Sequence, residues 1–134
     1  MPSITIKGYD YEYHDEEIID FNEGLIGLPE MRHAVLIPLP DYRPFCWLAS
    51  MDDEKTRFIV VNPYEIFDDY SPAEYAILNE SETDVLAIVK IHSDWHKTTI
   101  NLRAPIFINR ASNRGVQLVL TESPYRLSES LPRN

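Results

Sequence analysis

The chain has one cysteine, four glycines, and only twelve Lys or Arg against 22 Asp or Glu. The lone Cys46 excludes an internal disulfide, and no cysteine cluster exists to hold zinc or an iron–sulfur centre. The glycines, Gly8, Gly24, Gly27 and Gly115, form neither a GxGxxG nor a Walker pattern, so nucleotide binding through those loops is excluded. Neither a GxSxG elbow nor an HExxH pair occurs, which removes the commonest hydrolase signatures. No apolar run approaches the roughly 20 residues of a spanning helix. The N-terminus, Met1 to Lys7, lacks a basic start followed by an apolar stretch, the mark of a secretory signal. The expectation is a cytoplasmic protein with no membrane contact. A net charge of −10 repels phosphate backbones and anionic lipid, so direct nucleic-acid binding is not expected either.

What the chain does have is enough length for one domain and an uneven charge. A chain of 134 residues can bury roughly 70% of its unfolded surface and needs no staple. Residues 1–89 hold 19 acids and five Lys or Arg, whereas residues 90–134 hold three acids and seven Lys or Arg. Eight acids and no Lys or Arg lie between Lys7 and Arg32, and seven more acids lie between Arg57 and Lys90. Such runs are either solvated faces that aid solubility or a docking surface for a basic protein, whose association complementary fields accelerate.

Short runs rich in Ile, Val, Phe and Thr, bounded by Pro, Gly, Asn or Asp, dominate the pattern. The spans 3–7, 16–21, 35–39, 45–50, 57–62, 85–92, 98–102, 106–109 and 116–120 read as strands, about nine in all. Phe58-Ile59-Val60-Val61 and Val85-Leu86-Ala87-Ile88-Val89 are continuous and would be buried on both faces, as in a closed or folded-over sheet. Tyr9, Tyr11 and Tyr13 alternate and would point to one side of an extended segment, over a core edge or toward a partner. Helix signals are few. Ser71-Pro72-Ala73-Glu74 has the capping-box pattern with proline at the first helical position, and Tyr75, Ile77 and Leu78 extend an apolar stripe to Asn79, predicting a two-turn helix. Pro29 to His33 can form a single turn after the corner Gly24-Leu25-Ile26-Gly27, where both glycines can take positive φ. The expected architecture is mainly β, a small single domain over residues 1–122 with a closed or folded-over sheet and one or two short helices, followed by a tail over 123–134 whose end is frayed.

Candidate chemistry is sparse. His92, Asp94 and His96 carry metal-ligand side chains, but their spacing aligns ligands only on a helix, and the stretch reads as a strand running into a surface loop. Cys46, between Phe45 and Trp47 in a strand, reads as a buried inert thiol. Asp52-Asp53 and Asp68-Asp69 lack the placement across a cleft that glycosidic chemistry needs, and they read as turn and surface acids. Pro63 to Tyr70 combines four large apolar groups with three acids in a loop, a composition that suits core packing and a protein-binding rim equally.

Four ordered stretches together resemble the flagellar assembly factor family, FliW: Phe21 to Glu30, Phe45 to Asp53, Phe58 to Tyr64, and Thr99 to Asn109 leading to Gly115. They span roughly residues 20–120. Asn22 and Ile26 stand where the family often shows proline, a departure in loop geometry. The resemblance implies a compact, small single-domain β-barrel or roll and a non-enzymatic role: binding the translational repressor CsrA, antagonising it allosterically to relieve repression of flagellin mRNA, and being displaced by flagellin. No cofactor or metal is implied, and a monomer is expected. The partner surface expected here joins Tyr64, Glu65, Phe67, Asp68, Asp69 and Tyr70 to Asn101, Leu102, Arg103 and Pro105. In that junction Arg103 either forks onto a carboxylate or, with Asn101, stabilises the turn, and Pro105 belongs at a strand start. Two rival classes stay open: a β-barrel ligand-binding or hydrolytic enzyme, and an RNA-binding module using Arg103, Arg110 and Arg114.

Overall fold

The computed structural model describes residues 2–76 and 79–132. Among the described residues, eleven strands and a handful of one-turn 3-10 segments make it mainly β. The strands are β1 (Ser3–Ile6), β2 (Tyr9–Glu12), β3 (Ile19–Asp20), β4 (His33–Pro38), β5 (Cys46–Ser50), β6 (Arg57–Val61), β7 (Thr83–Lys90), β8 (Thr99–Ile100), β9 (Ile106–Asn109), β10 (Arg114–Gln117) and β11 (Glu129–Ser130). β3 to β7 pair in sequence, β10 pairs with β3 and β9, and β9 returns to β7, closing a ring of seven strands. Every contact in the ring is antiparallel except the β3–β10 bridge at Asp20↔Arg114. β7 is long enough to pair with β9 through Thr83–Leu86 and with β8 through Val89 and Lys90, so β8 and β11 extend the sheet beyond the ring.

Alternation along these strands explains the continuous apolar runs. Inside the ring lie Ala34, Leu48, Val60, Ile106 and Ile108, with Ile19, Phe21, Leu25 and Met31 closing the end and Leu36, Cys46, Phe58, Leu86 and Ile88 packed against them. The opposite faces of the same strands do not meet solvent. Val61, Val85, Ala87, Val89 and Phe107 form a second core with Tyr70, Ile100, Leu102 and Leu120. Val35, Ile37 and Ala49 form a third, covered by Ile6 and, half-buried, Tyr11, Tyr13 and Trp47. A strand apolar on both faces thus serves two cores, one within the ring and one beneath a covering segment.

The N-terminal hairpin β1–β2 is that cover for the third core. Lys7 and Gly8 both have positive φ, as a two-residue hairpin turn demands, and place Ile6 opposite Tyr9. Tyr9 at the tip is exposed, whereas Tyr11 and Tyr13 reach the core edge. Trp47 beneath carries Lys7 and Arg57 over its ring, with cations 5.5 and 5.3 Å from the centroid.

Several elements depart from the sequence reading. The strand expected over 16–21 shrinks to Ile19–Asp20, because Asp15–Glu17 curl into a 3-10 turn held by the His14 N–H donating to Glu17 Oε1 at 2.7 Å. The two-turn helix from Ser71 reduces to the 3-10 turn Pro72–Glu74, since the Ser71 side chain makes no cap and Tyr75 turns its ring edge to Tyr125. A two-turn helix is marginal alone, and here aromatic packing decides; Ile77 and Leu78 lie outside the described residues. The stretch from Ser123 to Leu131 is docked, not frayed: Ser123 is buried, Tyr125 and Leu131 pack on the second core, and β11 pairs with β8. Arg133 and Asn134 fall outside the described residues.

The glycine corner does what its composition suggests. Gly24 (φ 69°) and Gly27 (φ 81°) flank a reversal in which Leu25 and Leu28 exchange backbone hydrogen bonds. Gly115 on β10 has a different need, since an added Cβ would lie 2.4 Å from Cε1 of the wholly buried Phe21. Gly115→Ala is expected to destabilise the fold by about 1–3 kcal/mol through overpacking, read as a lower urea midpoint with an unchanged m-value.

Candidate functional site

The long connection from β6 to β7 carries the acidic and aromatic cluster. Asn62 opens it by accepting the Tyr64 N–H on Oδ1 at 3.0 Å, and Pro63 is buried at the first position of the 3-10 turn Pro63–Glu65. The turn fixes which side chains face outward. Tyr64, Glu65, Asp68 and Asp69 are exposed, Phe67 is half-buried and Tyr70 is 97% buried, with 3% of its surface accessible.

Tyr70 ties this loop to the junction before β9. Its hydroxyl donates to the Leu102 carbonyl at 2.7 Å, and its ring meets Tyr64 at 6.0 Å and Tyr125 at 4.6 Å. Burial, reinforced by the neighbouring Tyr125 and Tyr64 rings, pushes the Tyr70 hydroxyl far above the usual phenol range, so it stays a neutral donor. The Tyr125 hydroxyl in turn accepts the Ser71 N–H at 2.8 Å. The loop is therefore pinned at its exit by two tyrosines.

Arg103 and Asn101 serve the turn and the tail. Asn101 Oδ1 accepts the N–H groups of Arg103 and Ala104 at 3.1 and 2.9 Å. The Arg103 guanidinium forks onto three carbonyls, donating to Ser123 and Tyr125 from one nitrogen (3.1 and 3.2 Å) and to Thr121 from the other (2.9 Å). The N–H groups of Leu102 and Arg103 both donate to the Arg126 carbonyl. Of the alternatives open in the sequence, the fork goes to tail carbonyls and not to a carboxylate. Leu102 and Pro105 are buried, and the Pro105 carbonyl accepts the Leu118 N–H. The structure thus brings the 64–70 loop and the 101–103 junction together through Tyr70, but with different duties. Tyr64, Glu65, Asp68 and Asp69 form the outer surface, while Tyr70, Asn101, Leu102, Arg103 and Pro105 hold it in place.

Sequence reasoning passed over Trp95 as part of a surface loop. It is 51% exposed, on the 3-10 turn Trp95–Lys97, and stands edge-on to Phe45 with ring centroids 6.1 Å apart. Between them runs a groove of about 400 Å³ lined also by Glu65, Ile66, Leu131 and Pro132, so Trp95 shares a surface with the acidic loop. The signal available in sequence was a tryptophan in a polar stretch, which is weak until Phe45 and Glu65 are seen beside it.

The other candidate chemistry disperses. Asp94 caps its turn by accepting the His96 N–H, and His92 Nδ1 accepts the Asp94 N–H, so the histidines serve local geometry. Among the described residues no three His, Cys, Asp or Glu are placed to hold a metal ion. Cys46 faces the ring interior, and burial together with Glu65 pushes its thiol up, away from the nucleophilic form. Burial works against ionisation of Asp52, but the His33 and Arg32 N–H groups and the His33 ring outweigh it and hold the carboxyl below its usual range. Asp53 is lowered by the Lys55 N–H and the Thr56 hydroxyl. Both are turn acids. Arg110 is spent on Asp84 at 2.8 Å and on the Ser81 carbonyl, which leaves Arg114 alone of the three arginines an RNA-binding face would use.

Arg103→Met keeps the aliphatic stem and removes the donors. It is expected to cost about 1–3 kcal/mol and to raise amide hydrogen exchange across residues 121–127. Tyr70→Phe, which removes only the hydroxyl, is expected to cost about 1 kcal/mol in denaturant unfolding.

The comparisons with known proteins converge. The family model described as FliW protein matches residues 5–131. The chain is 37% identical over 126 residues to the flagellar assembly factor FliW of Clostridium beijerinckii, covering 89% of each. It is 32% identical over 139 residues to the flagellar assembly factor FliW 2 of Desulfotalea psychrophila, covering 98% of this chain and 91% of that one. A crystal structure of a flagellar assembly factor FliW superposes with a TM-score of 0.85 at 27% identity, over 99% of both chains. These relatives carry the name of an assembly factor and not of an enzyme. With the closed ring, its covering segments and nearly the whole chain matched, the chain belongs to the FliW family of flagellar assembly factors.

Proposed function

We propose that this chain is a non-enzymatic cytoplasmic factor, monomeric in its free form, that binds the translational repressor CsrA. It antagonises CsrA allosterically, relieves repression of flagellin mRNA, and is displaced when it binds flagellin. Family membership supports the flagellar role, and the resemblance set out from the sequence supplies the two partners. The observation that carries the reading on this chain is the outer face of the β6–β7 loop. Glu65, Asp68 and Asp69 are exposed beside Tyr64, on a loop whose exit is pinned by Tyr70 and Tyr125. A prearranged loop loses little entropy on binding, exposed acids steer a basic partner, and tyrosine and tryptophan supply the anchoring area.

In this proposal Tyr64, Glu65, Phe67, Asp68 and Asp69 touch the partner, with Trp95 at the groove edge. Tyr70, Asn101, Leu102, Arg103 and Pro105 act by holding them. Calorimetric titration with CsrA from the same organism, then of flagellin into the preformed complex, is expected to give binding followed by displacement. The double variant Asp68→Lys with Asp69→Lys is expected to weaken CsrA binding by about tenfold or more, mostly by slowing association. Unchanged affinities for both partners in that folded variant would place the contact elsewhere. No binding of the parent protein to either partner would overturn the function.

A further inference from the structure

The second surface is an open strand edge in the stretch of chain that carries arginines and no Asp or Glu. β10 pairs with β9 in the register Gly115↔Ile108 and Val116↔Phe107, and the same register runs on past the strand, with the Leu118 N–H donating to Pro105 and the Leu120 N–H to Arg103. Residues 114–120 therefore form one continuous antiparallel edge. Because amides alternate in direction along such a pair, those of Gln117 and Val119 point away from β9. On that side β3 pairs with β10 at Arg114 only, and no acceptor for the Val119 N–H is found among the described residues. The edge is not blunted in the ways natural edges usually are. Val116 (42%), Leu118 (37%) and Val119 (46%) are exposed along it, and Ile26 (55%) faces it from the glycine corner, its N–H donating to Gln117 Oε1. A groove of about 410 Å³ lies between that corner and the edge.

Charge selects what fits. From Trp95 to Thr121 the chain carries Lys97, Arg103, Arg110 and Arg114 and no Asp or Glu, in a protein of net −10. Arg103 and Arg110 are engaged internally, whereas Arg114 lines the groove, exposed, and makes no ion pair among the described residues. Glu23 lines the corner wall opposite, so an incoming carboxylate is drawn to the β10 side. A second copy of this edge, whose chain from Trp95 to Thr121 holds no Asp or Glu, brings no carboxylate to Arg114 and is disfavoured.

We propose that the free edge from Gly115 to Val119 accepts an extended segment of a partner protein as an added β-strand, aliphatic at alternate positions and carrying a carboxylate that reaches Arg114. Main-chain hydrogen bonds to Gln117 and Val119 supply affinity, and the aliphatic side chains settle against Val116, Leu118 and Ile26. This docking surface is separate from the acidic loop face and does not rest on it.

The probe is an acetylated, amidated peptide of sequence Asp-Val-Thr-Val-Thr-Val-Ser, titrated into ¹⁵N-labelled protein with amide shifts followed by NMR. Saturable shifts confined to residues 114–120 and 25–27 are expected. They should weaken about threefold in Arg114→Glu, and vanish both in Val119→Pro and with a peptide N-methylated at its central residues. Asp68→Lys with Asp69→Lys should leave them unchanged, which separates this edge from the acidic face. No shifts in the folded parent, or shifts that survive N-methylation, would overturn strand addition. Concentration-dependent broadening of the same amides without peptide would assign the edge to a second copy and overturn the proposal. Should Val119→Pro fail to fold, the Arg114→Glu and N-methyl arms decide.

Discussion

The fork of Arg103 onto the carbonyls of Thr121, Ser123 and Tyr125 is the interaction on which the outer architecture depends. A tail of mixed polarity with only two residues of strand pairing has little hold on a barrel by itself. One planar cation offering several donors, half-buried and with its backbone fixed by Asn101, fastens the tail at three points. Once fastened, the tail brings Tyr125 over Tyr70 and Leu131 over the second core. Tyr70 then fixes the exit of the loop that displays Glu65, Asp68 and Asp69. The chain of dependence runs from one cation to an acidic surface that the cation never touches.

The ring itself solves a different problem. Small β domains must either close their sheet or cover its faces, and this one does both. Closure through β7–β9 gives an inner core of Val60, Leu48, Ile106 and Phe21, and the hairpin and tail cover the outside of the same strands. Covering segments bring loops from distant parts of the sequence into contact, which is why residues 64–70, 101–105 and 121–131 share one region. Where cover runs out, at β10 past Arg114, the edge stays open.

How much of this was legible in the sequence follows from how local each signal is. Ile106–Asn109 was placed without error, and β4 to β7 within about two residues, because continuous apolar runs bounded by Pro, Asn or Asp carry their own ends. The positive φ of Gly24 and Gly27 was readable for the same reason. The predicted helix at Ser71 contracted because a ring contact to Tyr125, 50 residues away, outweighed a good local pattern. The tail looked frayed because its anchor is a side chain 18 to 22 residues upstream whose acceptors are backbone carbonyls, invisible to any residue pattern. Of the candidate site, composition marked the acidic loop but could not tell that Tyr70 and Leu102 are buried supports, and it missed Trp95, which stands against Phe45 and shares a groove with Glu65 only in the folded chain.

The central claim is that the pinned β6–β7 loop is the face that meets the basic partner. Hydrogen–deuterium exchange on the protein alone and saturated with CsrA tests it most directly, because it maps contact without altering a residue. The account expects slowed exchange across residues 64–70 and 95–97, with the amides of 115–119 unchanged. Protection that leaves residues 64–70 untouched while CsrA is bound would contradict it.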